Sequence, residues 1–94
     1  MPETEVVRVF TIKNKLGLHA RAAAVFVRLS SRFLCDVKIV KNGYEVDGKS
    51  ILGVLSLAAA KGTDIKIITK GEGAEQAMTE IDELIESGFG EGVL

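Results

Sequence analysis

Apolar and polar residues alternate along several short stretches of the chain, whereas in two longer stretches apolar residues recur every three or four positions. The first pattern predicts half-buried strands and the second predicts amphipathic helices. A β-rich stretch predicts a strand over residues 5–13, and the alanine-rich stretch after it predicts a helix over 20–33. The buried stripe of that helix is expected to consist of Ala22, Phe26, Leu29 and Phe33.

The middle of the chain predicts a β-hairpin. Two strands, over residues 35–41 and 44–47, are separated by Asn42 and Gly43. Both turn residues tolerate positive φ, which type I′ hairpin turns require.

A short helix, a strand and a final helix are predicted after the hairpin. Ser50 is a candidate N-cap for the short helix, which we expect to end toward Lys61-Gly62. Residues 65–70 alternate as a last strand, and the final helix is predicted over 73–87. Its apolar stripe is formed by Ala74, Ala77, Met78, Ile81, Leu84 and Ile85.

The predicted order is β-α-β-β-α-β-α, which favours an α+β fold. We expect an open-faced β-sandwich, in which a four-stranded antiparallel sheet is covered on one face by three helices. A chain of 94 residues has room for one core, so residues 1–94 are expected to form a single domain. This order of elements serves several functions, so the site residues must decide between them.

Composition argues against membrane insertion and against cysteine chemistry. Hydrophobic residues make up 47% of the chain, but no apolar run approaches the roughly 20 residues that cross a bilayer. The N-terminal segment 1–5 is acidic, unlike a signal peptide, so a cytoplasmic location is expected. The single cysteine, Cys35, shares a predicted strand face with Val37 and Ile39, which indicates a buried, inert thiol.

The net charge of −1 hides an asymmetry along the chain. Residues 1–70 contain all 12 Lys and Arg residues and 6 of the 13 acidic ones, whereas residues 71–94 contain the other 7 acids. The acidic segment is interpreted as a solvated helix face rather than a docking surface. The basic excess includes Arg21 and Arg28 on the first predicted helix, which would steer an acidic partner toward its beginning.

Several function classes find little support in the sequence. RNA-recognition sheets stack bases on exposed aromatic pairs, and these strands have none, so no nucleic-acid partner is expected. One histidine and dispersed carboxylates offer no metal-ligand set, and no cofactor motif is present. A small-molecule-sensing regulatory domain of split β-α-β fold remains the alternative, although no sequence feature indicates its ligand site.

His19 is the only histidine and the strongest candidate for chemistry. It stands where a strand gives way, through Gly17, to a helix, so the free N–H groups at the helix start would point toward an anion on the ring. A neutral imidazole nitrogen is a competent nucleophile near pH 7. Arg21, two residues later, offers a guanidinium to the same anion. A phosphoryl group is the obvious candidate for that anion.

The segment Asn14-Lys15-Leu16-Gly17-Leu18-His19-Ala20-Arg21 resembles the active-site region of HPr, the histidine phosphocarrier family of the bacterial phosphoenolpyruvate-dependent phosphotransferase system. A second stretch, Lys49-Ser50-Ile51-Leu52-Gly53, resembles that family's other signature. Ala22 replaces a usual proline, and Leu16 stands where many members carry a small polar residue. Alanine loses some rigidity at that position but removes no chemical group.

The resemblance implies a carrier rather than an enzyme. It implies that His19 accepts a phosphoryl group on its pros nitrogen from enzyme I and passes it to an enzyme IIA protein, in sugar uptake or in regulation. Arg21 and the backbone of Ala20 would bind the phosphate. We expect the protein to act as a monomer without a cofactor.

The resemblance also implies a docking patch and a regulatory serine. The patch would consist of Leu18, Ala20, Ala24, Arg28, Ile51, Leu52 and Leu55, some of which must face outward because Val54 and Leu57 share the short helix. Ser50 matches the serine that an HPr kinase/phosphorylase phosphorylates in Gram-positive HPr proteins. The segment 14–21 and the ending Ser87-Gly88-Phe89-Gly90-Glu91 are similar to the nitrogen-related NPr branch, whereas Lys49-Ser50-Ile51-Leu52-Gly53 favours the sugar-uptake branch, and the choice stays open.

Overall fold

The computed structural model describes residues 3–91, so Met1 and Pro2 of the acidic N-terminal segment lie outside the described residues. The elements follow the predicted order β-α-β-β-α-β-α, which confirms the α+β class. They are β1 (Glu5–Thr11), α1 (Ala20–Ser30), β2 (Asp36–Lys41), β3 (Tyr44–Asp47), α2 (Ile51–Ser56), β4 (Asp64–Lys70) and α3 (Ala74–Glu86).

The four strands form one antiparallel sheet in the order β1-β4-β2-β3. Ile39 of β2 lies opposite both Ile67 of β4 and Val46 of β3, so the centre of the buried face is apolar. The predicted hairpin turn is confirmed, because Asn42 and Gly43 have φ values of 50° and 80°. The alternating pattern buries one side of the sheet, which includes Phe10, Val37, Ile39, Val46, Ile65 and Ile67.

The helices supply the other half of the core. In α1, Ala22 and Phe26 are buried and Leu29 is partly buried against the core, as the predicted stripe requires. Phe33, the last residue of that stripe, is partly buried against the core beyond the end of the helix. In α3 the predicted stripe is also confirmed, with Leu84 as its one partly buried member. Cys35 is a free, buried cysteine, and burial raises the pKa of its thiol.

The first helix ends earlier than its sequence pattern predicts. It was expected to reach residue 33, but α1 ends at Ser30. The N–H groups of Arg32 and Phe33 donate to carbonyls three residues back, Leu29 and Ser30, so the chain tightens into a turn there.

The second helix is also shorter than predicted, because α2 ends at Ser56 rather than toward Lys61-Gly62. Ala58 has a φ of 48°, in the left-handed region, which stops the helix and redirects the chain. The segment after α2 then returns toward the loop that precedes α1.

The charge asymmetry of the sequence is partly balanced inside the molecule. The guanidinium of Arg8 on β1 donates to Asp82 of α3 at 2.7 Å, and the ammonium of Lys13 pairs with Glu86. These exposed pairs contribute about 0.2–1 kcal/mol each, but they occupy part of the acidic helix face. Between residues 3 and 91, none of the helices is long and apolar enough to cross a lipid bilayer.

Candidate functional site

His19 is the N-cap of α1. Its backbone is extended, with φ −75° and ψ 179°, and its carbonyl accepts the N–H of Ala23 at 2.9 Å, which is the first hydrogen bond of the helix. The imidazole Nδ1 accepts a long hydrogen bond of 3.4 Å from the backbone N–H of Arg21. The expectation that the ring stands at the mouth of a helix is therefore confirmed.

An anion attached to Nδ1 would meet the positive end of α1. The first N–H groups of a helix have no intrahelical acceptor, and that of Arg21 points at Nδ1 of the ring. Arg21 and Ala20 are exposed, and the His19 side chain is 27% exposed. The structure thus places the His19 ring beside the backbone N–H of Arg21 at the start of α1, with the Arg21 side chain exposed to solvent.

The loop before His19 is fixed by close backbone contact. Gly17 has a φ of +65°, and an added Cβ would lie 2.4 Å from the carbonyl oxygen of Ala59. The N–H of Leu18 donates to the same carbonyl at 2.9 Å. The glycine is therefore required by its conformation and by the approach of the segment after α2.

Leu18 is not part of an exposed docking patch, and that prediction is wrong. Its side chain is 4% exposed and belongs to the hydrophobic core. Its backbone bond to Ala59 anchors the residue against the segment after α2, so the side chain fills the core instead of reaching solvent.

A carboxylate that sequence reasoning missed contacts the ring. Glu91 Oε2 lies 2.6 Å from His19 Nε2, and Glu91 Oε1 accepts a hydrogen bond of 2.9 Å from the Asn14 amide. Asn14 is fully buried and also donates to the carbonyl of Gly17 at 2.8 Å. Glu91 and His19 are 72 positions apart, so no local pattern could have paired them.

The pKa of the Glu91 carboxyl is lowered. The hydrogen bond from Asn14 is the largest cause, desolvation opposes it, and the hydrogen bond and charge of His19 and the charge of Arg21 lower the pKa further. Glu91 is therefore ionised at neutral pH.

The turn after α3 brings Glu91 back to the start of α1. Gly88, Phe89 and Gly90 all have positive φ, and the N–H of Phe89 donates to Leu84 at 2.8 Å. Phe89 is 3% exposed, so its ring anchors this turn in the core.

The two departures from the family pattern lie in different surroundings. Ala22 is fully buried in the first turn of α1, and Leu16 is 64% exposed beside the glycine loop. The alanine removes no polar group from the site. Within the described part of the chain, no cluster of three or more metal-ligating side chains is found.

The second sequence signature forms α2 and its cap. Ser50 Oγ accepts the N–H of Gly53 at 3.1 Å, so the predicted N-cap is confirmed. Ile51 and Leu52 are 44% and 80% exposed, whereas Leu55 is only partly buried and packs against the core. The prediction that part of this helix must face outward is therefore confirmed.

The remaining patch residues lie on α1, which packs against α2. Ala20 and Arg28 are exposed and Ala24 is half-buried. Together with Ile51, Leu52 and Leu55 of α2 they make up the residue set that we call the collar, defined by Ala20, Ala24, Arg28, Ile51, Leu52 and Leu55.

Fold and site together define a class of protein: a small open-faced β-sandwich that presents one histidine at a helix N-terminus. The family described as "PTS HPr component phosphorylation site" matches residues 6–87. The chain belongs to this HPr family, whose members are phosphocarrier proteins, carriers rather than catalysts.

Individual members of the family are similar to this chain over nearly its whole length. The phosphocarrier protein HPr of Pseudomonas aeruginosa is 48% identical over 93 residues, covering 98% of this chain and 99% of the relative. That of Pseudomonas putida is 50% identical with the same coverage. The crystal structure of HPr-C-His from Thermoanaerobacter tengcongensis superposes with a TM-score of 0.86 and 42% identity, covering 94% of this chain and 97% of the other.

Proposed function

We propose that this protein accepts a phosphoryl group from phosphorylated enzyme I on Nδ1 of His19 and delivers it to an enzyme IIA protein. The observation that carries the proposal is the position of Nδ1, which accepts the backbone N–H of Arg21 at the start of α1. A phosphoryl group there is stabilised by that donor, by the helix dipole and by Arg21. The protein provides a nucleophile and an anion site, and the partner provides the rest of each transfer site.

The collar is the proposed docking surface for both partners. An exposed Leu52 beside an exposed Ile51 is costly in water unless a partner covers it, and Arg28 on α1 adds a positive charge. This combination suits a partner with an apolar centre and an acidic rim.

Ser50 is the proposed site of regulatory phosphorylation by an HPr kinase/phosphorylase. Its hydroxyl caps α2, so a phosphate would sit at a helix N-terminus and would add negative charge beside Ile51 and Leu52. That charge would repel an acidic partner and disturb the apolar contact.

We propose that the protein works as a cytoplasmic monomer. One relative is described as an "HPr dimer" from Thermoanaerobacter tengcongensis and another as "the dimer Crh". The oligomeric state of this chain is therefore tested directly by its mass in solution. A mass from light scattering that matches one chain supports the monomer, and a mass of two chains overturns it.

The transfer chemistry is tested with phosphoenolpyruvate and enzyme I. We expect one phosphoryl group per chain, labile in acid and stable in base, as a phosphohistidine is. His19→Ala should acquire none. Label that survives acid, or that persists in His19→Ala, would overturn the proposal. Purified enzyme IIA proteins of the two branches are then allowed to compete for the phosphoryl group on His19. The protein that accepts it faster identifies the branch, sugar uptake or nitrogen-related regulation.

A further inference from the structure

We propose that Glu91 is a positioning residue for His19: its carboxylate, held by Asn14, keeps the ring proton on Nε2 and so leaves the lone pair of Nδ1 free. This inference rests on the proposed function and concerns how the same site is prepared for transfer. It assigns a role to a residue 72 positions from the histidine and to the buried amide that orients it.

The carboxylate is fixed on its far side by Asn14. The Asn14 amide nitrogen donates to Glu91 Oε1 at 2.9 Å and to the Gly17 carbonyl at 2.8 Å. Both partners are acceptors only, so the nitrogen must face them. Within residues 3–91, Asn14 Oδ1 is buried without a hydrogen-bond donor. The amide therefore leaves its oxygen unpaired in the orientation that lets its nitrogen donate to both acceptors.

The tautomer of the ring follows from the chemistry of the two contacts. An ionised carboxylate has no proton to donate, so at 2.6 Å the hydrogen of the Glu91 contact must come from His19 Nε2. A neutral ring that carries its proton on Nε2 has its lone pair on Nδ1. The N–H of Arg21 points at Nδ1 from the opposite side, and it requires the same lone pair. Two contacts from distant parts of the chain therefore select one tautomer.

The surroundings favour the contact. The side chains of His19 and Glu91 are 27% and 19% exposed, so water competes only partly for the hydrogen bond. The hydrogen bond from Asn14 lowers the pKa of the Glu91 carboxyl, which keeps it ionised. Arg21 is the other charged group that acts on this carboxylate, and it favours the ionised form as well.

The same contact acts during transfer. As the lone pair of Nδ1 forms a bond to phosphorus, the bond between phosphorus and the donor on enzyme I breaks, and its electron pair stays with the donor. The ring keeps its proton on Nε2 and becomes positively charged. Glu91 lies against that charge and stabilises it. On delivery the electrons of the N–P bond return to the ring, which regains the neutral tautomer.

Glu91→Gln tests the proposal because glutamine has nearly the same shape, but its amide can donate or accept. In protein labelled with ¹⁵N-histidine, at a pH where the ring is neutral, the ¹⁵N shifts of the parent should report the Nε2–H tautomer. Glu91→Gln should show a mixture of the Nε2–H and Nδ1–H tautomers, because the glutamine amide can pair with either form of the ring. Glu86→Gln, which removes a carboxylate that pairs with Lys13 instead, is the matched control and should resemble the parent. An Nδ1–H tautomer in the parent, or no change in Glu91→Gln, overturns the proposal.

Transfer rates give the second measurement. Glu91→Gln should accept phosphoryl from enzyme I about tenfold more slowly at saturating enzyme I, with the half-saturating concentration unchanged, because one charge-assisted hydrogen bond is lost. Glu86→Gln should keep the parent rate. If Glu91→Gln accepts phosphoryl at the rate of the parent, Glu91 has no role in transfer. Failure of the parent to accept phosphoryl would instead refute the proposed function, and the tautomer measurement would still decide what Glu91 does to the ring.

Discussion

Gly17 and Ala59 lie in backbone contact: a Cβ added to Gly17 would stand 2.4 Å from the Ala59 carbonyl oxygen. That carbonyl also accepts the N–H of Leu18, so the residue before His19 is held to the segment after α2. The position of the histidine thus depends on two loops at once. One is the glycine turn before α1, and the other is the stretch that Ala58 redirects after α2.

Gly17→Ala should destabilise the protein by roughly 2–4 kcal/mol, since it combines a left-handed backbone with a clash against backbone atoms. Urea denaturation measures the loss. Gly62→Ala is the matched control, because Gly62 has a φ of +88° with nothing within 4 Å of the added Cβ. It should lose only about 1 kcal/mol. Equal losses in the two variants would contradict the close contact with Ala59.

Ser50→Ala should lower the free energy of unfolding by roughly 0.5–2 kcal/mol, because the N–H of Gly53 loses its acceptor. Ser50→Asp should stay within about 1 kcal/mol of the parent, since a carboxylate also caps the helix and favours its positive end. Melting temperatures of the parent, Ser50→Ala and Ser50→Asp in the same buffer rank the three proteins by stability.

Transfer from enzyme I should rank those variants differently. Ser50→Asp places a negative charge beside Ile51 and Leu52, so it should slow transfer more than Ser50→Ala does. If Ser50→Asp transfers as fast as the parent while Ser50→Ala merely melts at a lower temperature, Ser50 is a cap and has no regulatory role.

Leu52→Asp should weaken the binding of enzyme I by more than ~1 kcal/mol while the fold persists, because the replaced side chain is 80% exposed in the collar. Val9→Asp is the control: Val9 is 64% exposed on the sheet face opposite the helices, and it lies across from Lys66. Titration calorimetry measures both affinities. Equal weakening, or none in Leu52→Asp, would place the docking surface elsewhere. Leu55 is less suitable for this test because it packs against the core.

The Glu91 carboxyl should make stability depend on pH. Its pKa is lowered in the folded protein from the ordinary value of 4.5, mainly by the hydrogen bond from Asn14. The ionised form therefore adds stability that is fully present above pH 4.5 and is lost as the pH falls through the lowered pKa. Urea denaturation at a series of pH values should show the parent ahead of Glu91→Gln at neutral pH, with the difference vanishing in acid. A difference that stays constant with pH would mean that the carboxyl has its ordinary pKa when folded.

Local sequence information was enough to predict the order of the elements, the hairpin turn and both buried helix stripes, because each depends on residues that are neighbours in the chain. It failed at the end of α2, where Ala58 takes up a left-handed conformation that alanine rarely adopts. It also misplaced Leu18, since the side of the chain that faces the core there is set by contact with Ala59.

The site shows the same division between local and distant causes. His19, Arg21 and Ser50 were found from short motifs, and the structure confirms that His19 and Ser50 are the N-caps of α1 and α2. Glu91 gave no local signal, because its approach to the ring depends on a turn with three successive positive φ values and on the burial of Phe89. Such a contact becomes visible only when the packing of the whole chain is known.

The contacts around His19 also set an order of events during protein synthesis. The histidine leaves the ribosome early, but Ala59, which holds its loop, and Glu91, which contacts its ring, are made later. β1 likewise cannot pair in the sheet until β4, its neighbour there, has been translated. A nascent chain that has released residue 19 but not residue 91 has the imidazole of His19 without the carboxylate that contacts it. The hydrogen bond between His19 and Glu91 therefore forms only after residue 91 has been translated, and its presence reports that the loop before α1 and the turn after α3 have come together.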